Sequence, residues 1–391
     1  MRARRSLLAL AAVLLSCAAA QAGGLDELRA RLVARTLDNG LHVTVLPLPE
    51  SPVVATQMWV HVGSANEDAH SRGFAHLFEH LMFGGTAEHS KKDYWLLHEI
   101  HGGDDNAYTA FDETVYVSTI PPEGHDELLA LEADRLVNLK LTEENLANEK
   151  RIVTEELRLR TENDPLARVL HRAFKEVLGE HPYGPTPIGT KEDIARADLD
   201  ECRRFYRRFY NPSNVHLVIV GPVDPQRTLA RVEELFGRLP GGEGPPPDVP
   251  RLVDWHYPEE VVELTDDLPP AEIAILAWPL PAPGDPDAEV VETLLAMLSG
   301  GPVDPFAEII VRQQRHAVYS ESFVYEFRRG RALILDGAFL PYHRKKTEFR
   351  WMGEAVAKLR AYLTEEKLSA AKKRLLLGEY GRAYSPEGLA A

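Results

Sequence analysis

Two histidines and a glutamate on a single stretch of helix are the residues of this chain best placed to do chemistry. Gly73–Gly84 reads GFAHLFEHLMFG. Phe74, Leu77, Phe78 and Leu81 recur at i, i+3, i+4 and i+7, the spacing of an apolar face that packs on a core. His76, Glu79, His80 and Phe83 repeat that spacing on a second face. Imidazoles at i and i+4 can both reach one divalent ion, and Glu79 can address a water beside it. The bland alternative is a pair of helix histidines bonded to backbone or solvent, the commoner fate of this residue.

A metal also needs a third ligand. Asn148–Arg160 reads NEKRIVTEELRLR, in which Glu149, Ile152, Val153 and Glu156 fall at i, i+3, i+4 and i+7. Leu146 and Leu157 extend the same stripe, so two carboxylates interrupt an inward face. Ionised groups do not sit there without a partner charge or a metal. Glu143, Glu144 and Glu155 fit a solvated face instead.

The elements that must carry these residues follow from pattern. Leu41–Leu46, Val53–Val62 and Ala107–Thr119 read as strands, and Val215–Val220 as a short buried one. Helices are expected at Gly73 to about Phe83, Pro122–Leu139 and Glu143–Thr161. Clustered Gly and Pro from Gly237 to Pro250 deny the backbone both helix and ladder. Beyond that break come strand Glu272–Ala277, helix Ala288–Leu298, strands near Tyr319–Phe327 and Arg331–Phe339, then helices. The fold class expected is α+β, with an α/β sandwich in each half. A chain of 391 residues is also too long for one ordinary core. The expected divisions are 1–22, 23–238, a linker 239–250, and 251–391.

HxxEH is the HExxH of zinc peptidases read backwards, and ExxxxxxE follows it by about 70 residues. Together they resemble the zinc signature of the pitrilysin/insulinase family, the inverzincins, including its smaller bacterial processing-peptidase-like members. The resemblance implies one zinc ion per chain held by His76, His80 and Glu156. Glu79 would be the general base, and Glu149 an acid behind the ligands. HGGDDNAYTAFDETVYVST resembles the family's GG-x-x-NA-x-T segment. Asn106, Ala107 and Thr109 would then lie on an edge strand that pairs with substrate; without the resemblance it is a plain strand after a Gly turn. RQQRHAVY resembles a pair in which Arg312 holds substrate and Tyr319 steadies the tetrahedral intermediate. The alternative there is a surface Arg and a half-buried Tyr. The runs at His181–Gly184 and Tyr210–Pro212 read as turn and packing residues.

The activity implied is zinc-dependent hydrolysis of peptides or small unfolded polypeptides. Relatives form chambers of four such half-domains, which implies a homodimer or a heterodimer with an inactive relative. Against these relatives the second half is short, and an incomplete C-terminal domain is expected. A non-catalytic companion subunit is the competing function; it is expected to lack one or more of His76, Glu79, His80 and Glu156, and all four are present. A metal-storage protein is a third reading, with zinc binding as its sole activity.

Bulk properties narrow the field further. A formal net charge of −16 argues against non-specific nucleic-acid binding. Arg2, Arg4 and Arg5, the apolar run Leu7–Leu15 and Ala20-Gln21-Ala22 read as an export leader cleaved after Ala22. Periplasmic or extracellular location is expected, in preference to lipoprotein anchoring at Cys17. No later stretch is apolar for long enough to span a bilayer. Cys202 reads as a buried, inert thiol.

Overall fold

The computed structural model describes residues 27–254, 272–298, 304–340, 347–382 and 386–390. The expected leader and Cys17 lie outside them. In the first half, β1 (Val33–Thr36), β2 (His42–Pro47), β3 (Val54–Val60), β4 (Asp104–Thr109), β5 (Thr114–Ile120) and β6 (Val215–Gly221) form one sheet. Its order is β1-β2-β6-β3-β5-β4; β2 and β6 run parallel and the other pairs antiparallel. β4 is therefore an edge.

Period-two alternation decides which face is apolar. Register sets Val43 beside Leu217 and Leu217 beside Met58, all buried. The first-half helices are α1 (Phe74–Leu81), α2 (Lys91–His101), α3 (Pro122–Asn138), α4 (Glu143–Leu157), α5 (Pro165–Leu178), α6 (Lys191–Arg196), α7 (Leu199–Phe209) and α8 (Pro225–Phe236). Residues of α1, α3, α4, α7 and α8 join the inward strand residues in one core. Cys202, on α7, is fully buried there, and burial pushes its thiol up to about 12.

The second half holds β7 (Glu272–Leu280), β8 (Ser322–Phe327) and β9 (Gly330–Phe339), antiparallel in the order β7-β9-β8. Besides the short helical turn Pro305–Ala307 and its π continuation Glu308–Gln313, its helices are α9 (Ala288–Leu298), α10 (Thr347–Leu359), α11 (Glu365–Arg382) and α12 (Pro386–Ala390). One side of the sheet packs on α10 through Leu335, Phe339, Met352 and Ala355. No helix or strand interrupts 239–250.

Three expectations shift. Ala107–Thr119 is two strands rather than one, because residues 110–113 fold back. Ala110 N–H donates to Glu113 O at 2.8 Å, and Ala65 N–H takes the Phe111 carbonyl at 2.8 Å. Gly63 lets this turn close up, since a Cβ there would lie 2.4 Å from Phe111 C. The helix expected to reach Thr161 is regular only to Leu157 and continues as a π turn, Arg158–Glu162. β8 starts at Ser322; Tyr319 makes only an isolated bridge to Ala338.

That 110–113 turn also joins the halves. Asp112 accepts from Tyr183 Oη at 2.9 Å and from Arg328 N–H, ahead of β9, at 2.8 Å. Tyr183 stacks on Phe327 with centroids 4.4 Å apart. Next to it, burial and then Asp112 push the Glu113 carboxyl up to about 7, against Arg328. The fold thus holds that proton more tightly than the unfolded chain, so its contribution is lost as pH rises through about 7. Glu113→Gln should raise the melting temperature at pH 8 by roughly 2 °C or more and leave it unchanged at pH 4, which thermal melts at the two pH values will check.

Candidate metal centre

An eight-residue helix is too short to be stable alone, so α1 has to be pinned. Glu67 does this at its start, accepting from Gly73 N–H and Ala75 N–H at 2.8 Å each. A carboxylate there also meets the positive end of the helix dipole. Gly73 turns into the helix at φ +80°, a conformation that favours glycine, and a Cβ would approach Ile188 O to 3.1 Å. Beneath the helix, Phe78 packs on Phe205 and Tyr210 at centroid distances of 5.2 and 5.3 Å. Tyr116 Oη donates to Phe78 O at 3.2 Å. Phe74, Leu77, Phe78 and Leu81 are all buried, as their spacing requires.

With that face held down, the other presents its polar groups to α4. His76 Nε2 lies 3.6 Å from Glu156 Oε1, and His80 Nε2 lies 3.1 Å from Glu156 Oε2. One donor atom from each of the three falls within 4.8 Å of the others, a grouping of metal-ligand type among the described residues. Ligands about 2.0–2.1 Å from a tetrahedral ion stand about 3.4 Å apart, so these spacings fit one small cation. Two imidazoles and a carboxylate are the donor set of a catalytic zinc site with one position open.

Glu149 stands behind this set. It is 5% exposed, and its Oε2 lies 3.7 Å from His80 Nδ1. That is too long for a direct hydrogen bond but near enough for charge to orient the ring. Lys91 Nζ, at 3.7 Å, and Asn148 Nδ2, at 3.1 Å, approach its other oxygen. The imidazoles of His76 and His80, with Arg160 at 2.8 Å, hold the Glu156 carboxyl well below its usual range against burial. Burial pulls His80 down, but Glu156, Glu79 and Glu149 outweigh it and raise it. Glu156 lies two residues ahead of the π turn, a departure from α geometry that often marks functional sites.

Glu79 shares the polar face, and its Oε2 accepts from Thr109 Oγ1 at 2.6 Å. On β4, Asn106 is exposed while Ala107 and Thr109 are half-buried on the alternate side. Arg312 and Tyr319 are held within their own segments. Arg312 pairs with Glu308 at 2.9 Å, and Tyr319 Oη donates to Glu321 at 2.6 Å. Two residues escaped the sequence reading: Glu67 as the brace of α1, and the Thr109 hydroxyl as a partner of Glu79. A glutamate in a loop six residues ahead of a glycine carries no periodic signal, and strand alternation alone does not say which helix a hydroxyl will meet.

Residues 43–186 match the family model "Insulinase (Peptidase family M16)", and residues 196–375 match "Peptidase M16 inactive domain". The zinc protease PqqE of Helicobacter pylori is 34% identical over 205 residues, which is 52% of this chain and 46% of that protein. The matched stretch thus spans about half the length of the curated relatives. A crystal structure of a protease from Helicobacter pylori superposes with a TM-score of 0.82 at 25% identity, covering 92% of this chain and 87% of the other. A peptidase M16 inactive domain from Pseudomonas fluorescens shares the fold, with a TM-score of 0.76 at 18% identity over 88% of this chain and 83% of that one.

The centre makes a graded prediction. Glu149→Gln should weaken zinc binding by about 10–100-fold, and Glu156→Gln by more, in competition titrations against a chromogenic chelator. Equal affinity for wild type and Glu156→Gln would remove that residue from the ligand set.

Proposed function

The chain belongs to the insulinase (M16) peptidase family, and from that premise we propose that it is a zinc-dependent endopeptidase acting on peptides or small unfolded polypeptides. The observation that carries the reading is the convergence of His76, His80 and Glu156 beside Glu79. Zinc, one ion per chain, would be held by those three residues and would supply Lewis-acid polarisation of a scissile carbonyl and a more acidic water. Glu79 then takes a proton from the attacking water and hands it to the departing amine. Glu149 keeps the His80 ring in register from behind.

Extended substrate would join the β4 edge as an added strand, along Asn106 and Ala107. Arg312 and Tyr319 are proposed to hold substrate and steady the oxyanion; support for this is their sequence pattern alone. The proposal includes export by the leader 1–22, a catalytic unit 23–238, a linker 239–250 and a second unit 251–391. It also includes assembly with a second chain, either another copy or an inactive relative. No described helix is long and apolar enough to cross a membrane.

Hydrolysis of a mixed peptide pool by the zinc-loaded chain, beside Glu79→Gln, tests the reading. The wild type should cut, and the variant should keep its zinc while losing at least about 100-fold in kcat. Wild-type rates in the variant would remove Glu79 from the mechanism. If neither zinc-loaded protein cuts, the non-catalytic companion subunit becomes the better reading.

A further inference from the structure

β4 is the edge strand expected to meet substrate, yet its last side chain turns inward onto the catalytic face of α1. Thr109 Oγ1 donates to Glu79 Oε2 at 2.6 Å, the one hydrogen bond of that carboxylate among the described residues. We propose that Thr109 is a positioning residue, whose hydroxyl holds Glu79 off the metal position and leaves its other oxygen to carry the proton. This rests on the peptidase reading above.

The need for such a restraint is electrostatic. Glu79 precedes His80 in the chain, and its carboxylate is one of those that act on that imidazole. A glutamate has three rotatable side-chain bonds, and a free one beside a divalent cation would swing in as a further ligand. It would then occupy the position that water needs. A neutral donor on the far side of the carboxylate opposes this without adding a competing charge.

Thr109 is in turn well fixed. Its backbone pairs with Thr114 across the hairpin, and the following turn is gripped from two directions. Ser64 and Ala65 N–H groups take the carbonyls of Ala110 and Phe111. Asp112 is held by Tyr183 and by the Arg328 backbone from the second half. Phe111 packs edge-on against Phe327 at 4.8 Å between centroids. The donor therefore sits at the end of a strand that packing immobilises, and Glu79 is the part that must adapt.

The test compares Thr109→Val, which keeps the shape and removes the hydroxyl, with Thr109→Ser, which keeps the hydroxyl. In the cobalt(II)-loaded protein, Thr109→Val should weaken the visible absorption as Glu79 joins the ion and raises its coordination number; Thr109→Ser should retain the wild-type spectrum. In the zinc-loaded protein, Thr109→Val should lower kcat by roughly 10–100-fold with KM within about twofold, the range expected for a lost hydrogen bond to a charged group. Thr109→Ser should recover most of that loss. An unchanged spectrum and unchanged kcat in Thr109→Val would overturn the proposal. So would failure of serine to recover them, since that would assign the effect to strand packing. If wild type cuts no peptide, the peptidase reading falls, while the cobalt comparison still decides the role of Thr109. Should the valine variant lose its cooperative melt, Thr109→Ala takes its place in both measurements.

Discussion

Everything at the centre hangs on keeping α1 in place. Eight residues form too few intrahelical bonds to meet the cost of helix nucleation, so the helix exists because its surroundings impose it. Its underside is an aromatic stack of Phe78 with Phe205, Tyr206 and Tyr210, and its first turn is braced by the Glu67 carboxylate. Burial pushes the Glu67 carboxyl well above its ordinary range, and the two backbone N–H groups pull it back only in part. Rotation of α1 about its axis by a fraction of a turn would exchange the imidazoles for phenyl rings. The apolar face thus sets the aim of the polar one.

The polar face in turn presents a concentration of negative charge. Glu79, Glu149 and Glu156 crowd two imidazoles, and Lys91 and Arg160 reach the cluster from exposed positions. Exposed cations are screened and contribute little to holding such a group together. A divalent ion at the convergence of His76, His80 and Glu156 would relieve this crowding, and Glu149 close behind would complement its charge. Such a balance would account for carboxylates on the inward stripe of α4, where Leu146, Val153 and Leu157 are otherwise the rule.

The two halves meet at the base of the same apparatus. The β4–β5 turn rests against Phe327 and Tyr183 and hands Asp112 to the second half, while its preceding strand gives Thr109 to Glu79. The half without the zinc signature therefore helps to fix the strand that donates to Glu79, the proposed general base.

What the sequence determined by itself was the helix faces and the residue types gathered on them. Spacings of three and four are local, so the buried row Phe74, Leu77, Phe78 and Leu81 and the polar row His76, Glu79 and His80 could be read directly. Glu149 and Glu156 on the apolar stripe of α4 were legible for the same reason. Most strands of both sheets were legible too, through runs of Val, Ile and Thr. The break at residues 110–113 was not, because that turn is closed by Gly63 and Ala65 and its own residues carry no Gly or Pro. Nor was the strand order, the brace from Glu67, or the hydroxyl of Thr109 on Glu79. Those depend on which segments come together from distant parts of the chain, and only tertiary packing decides that.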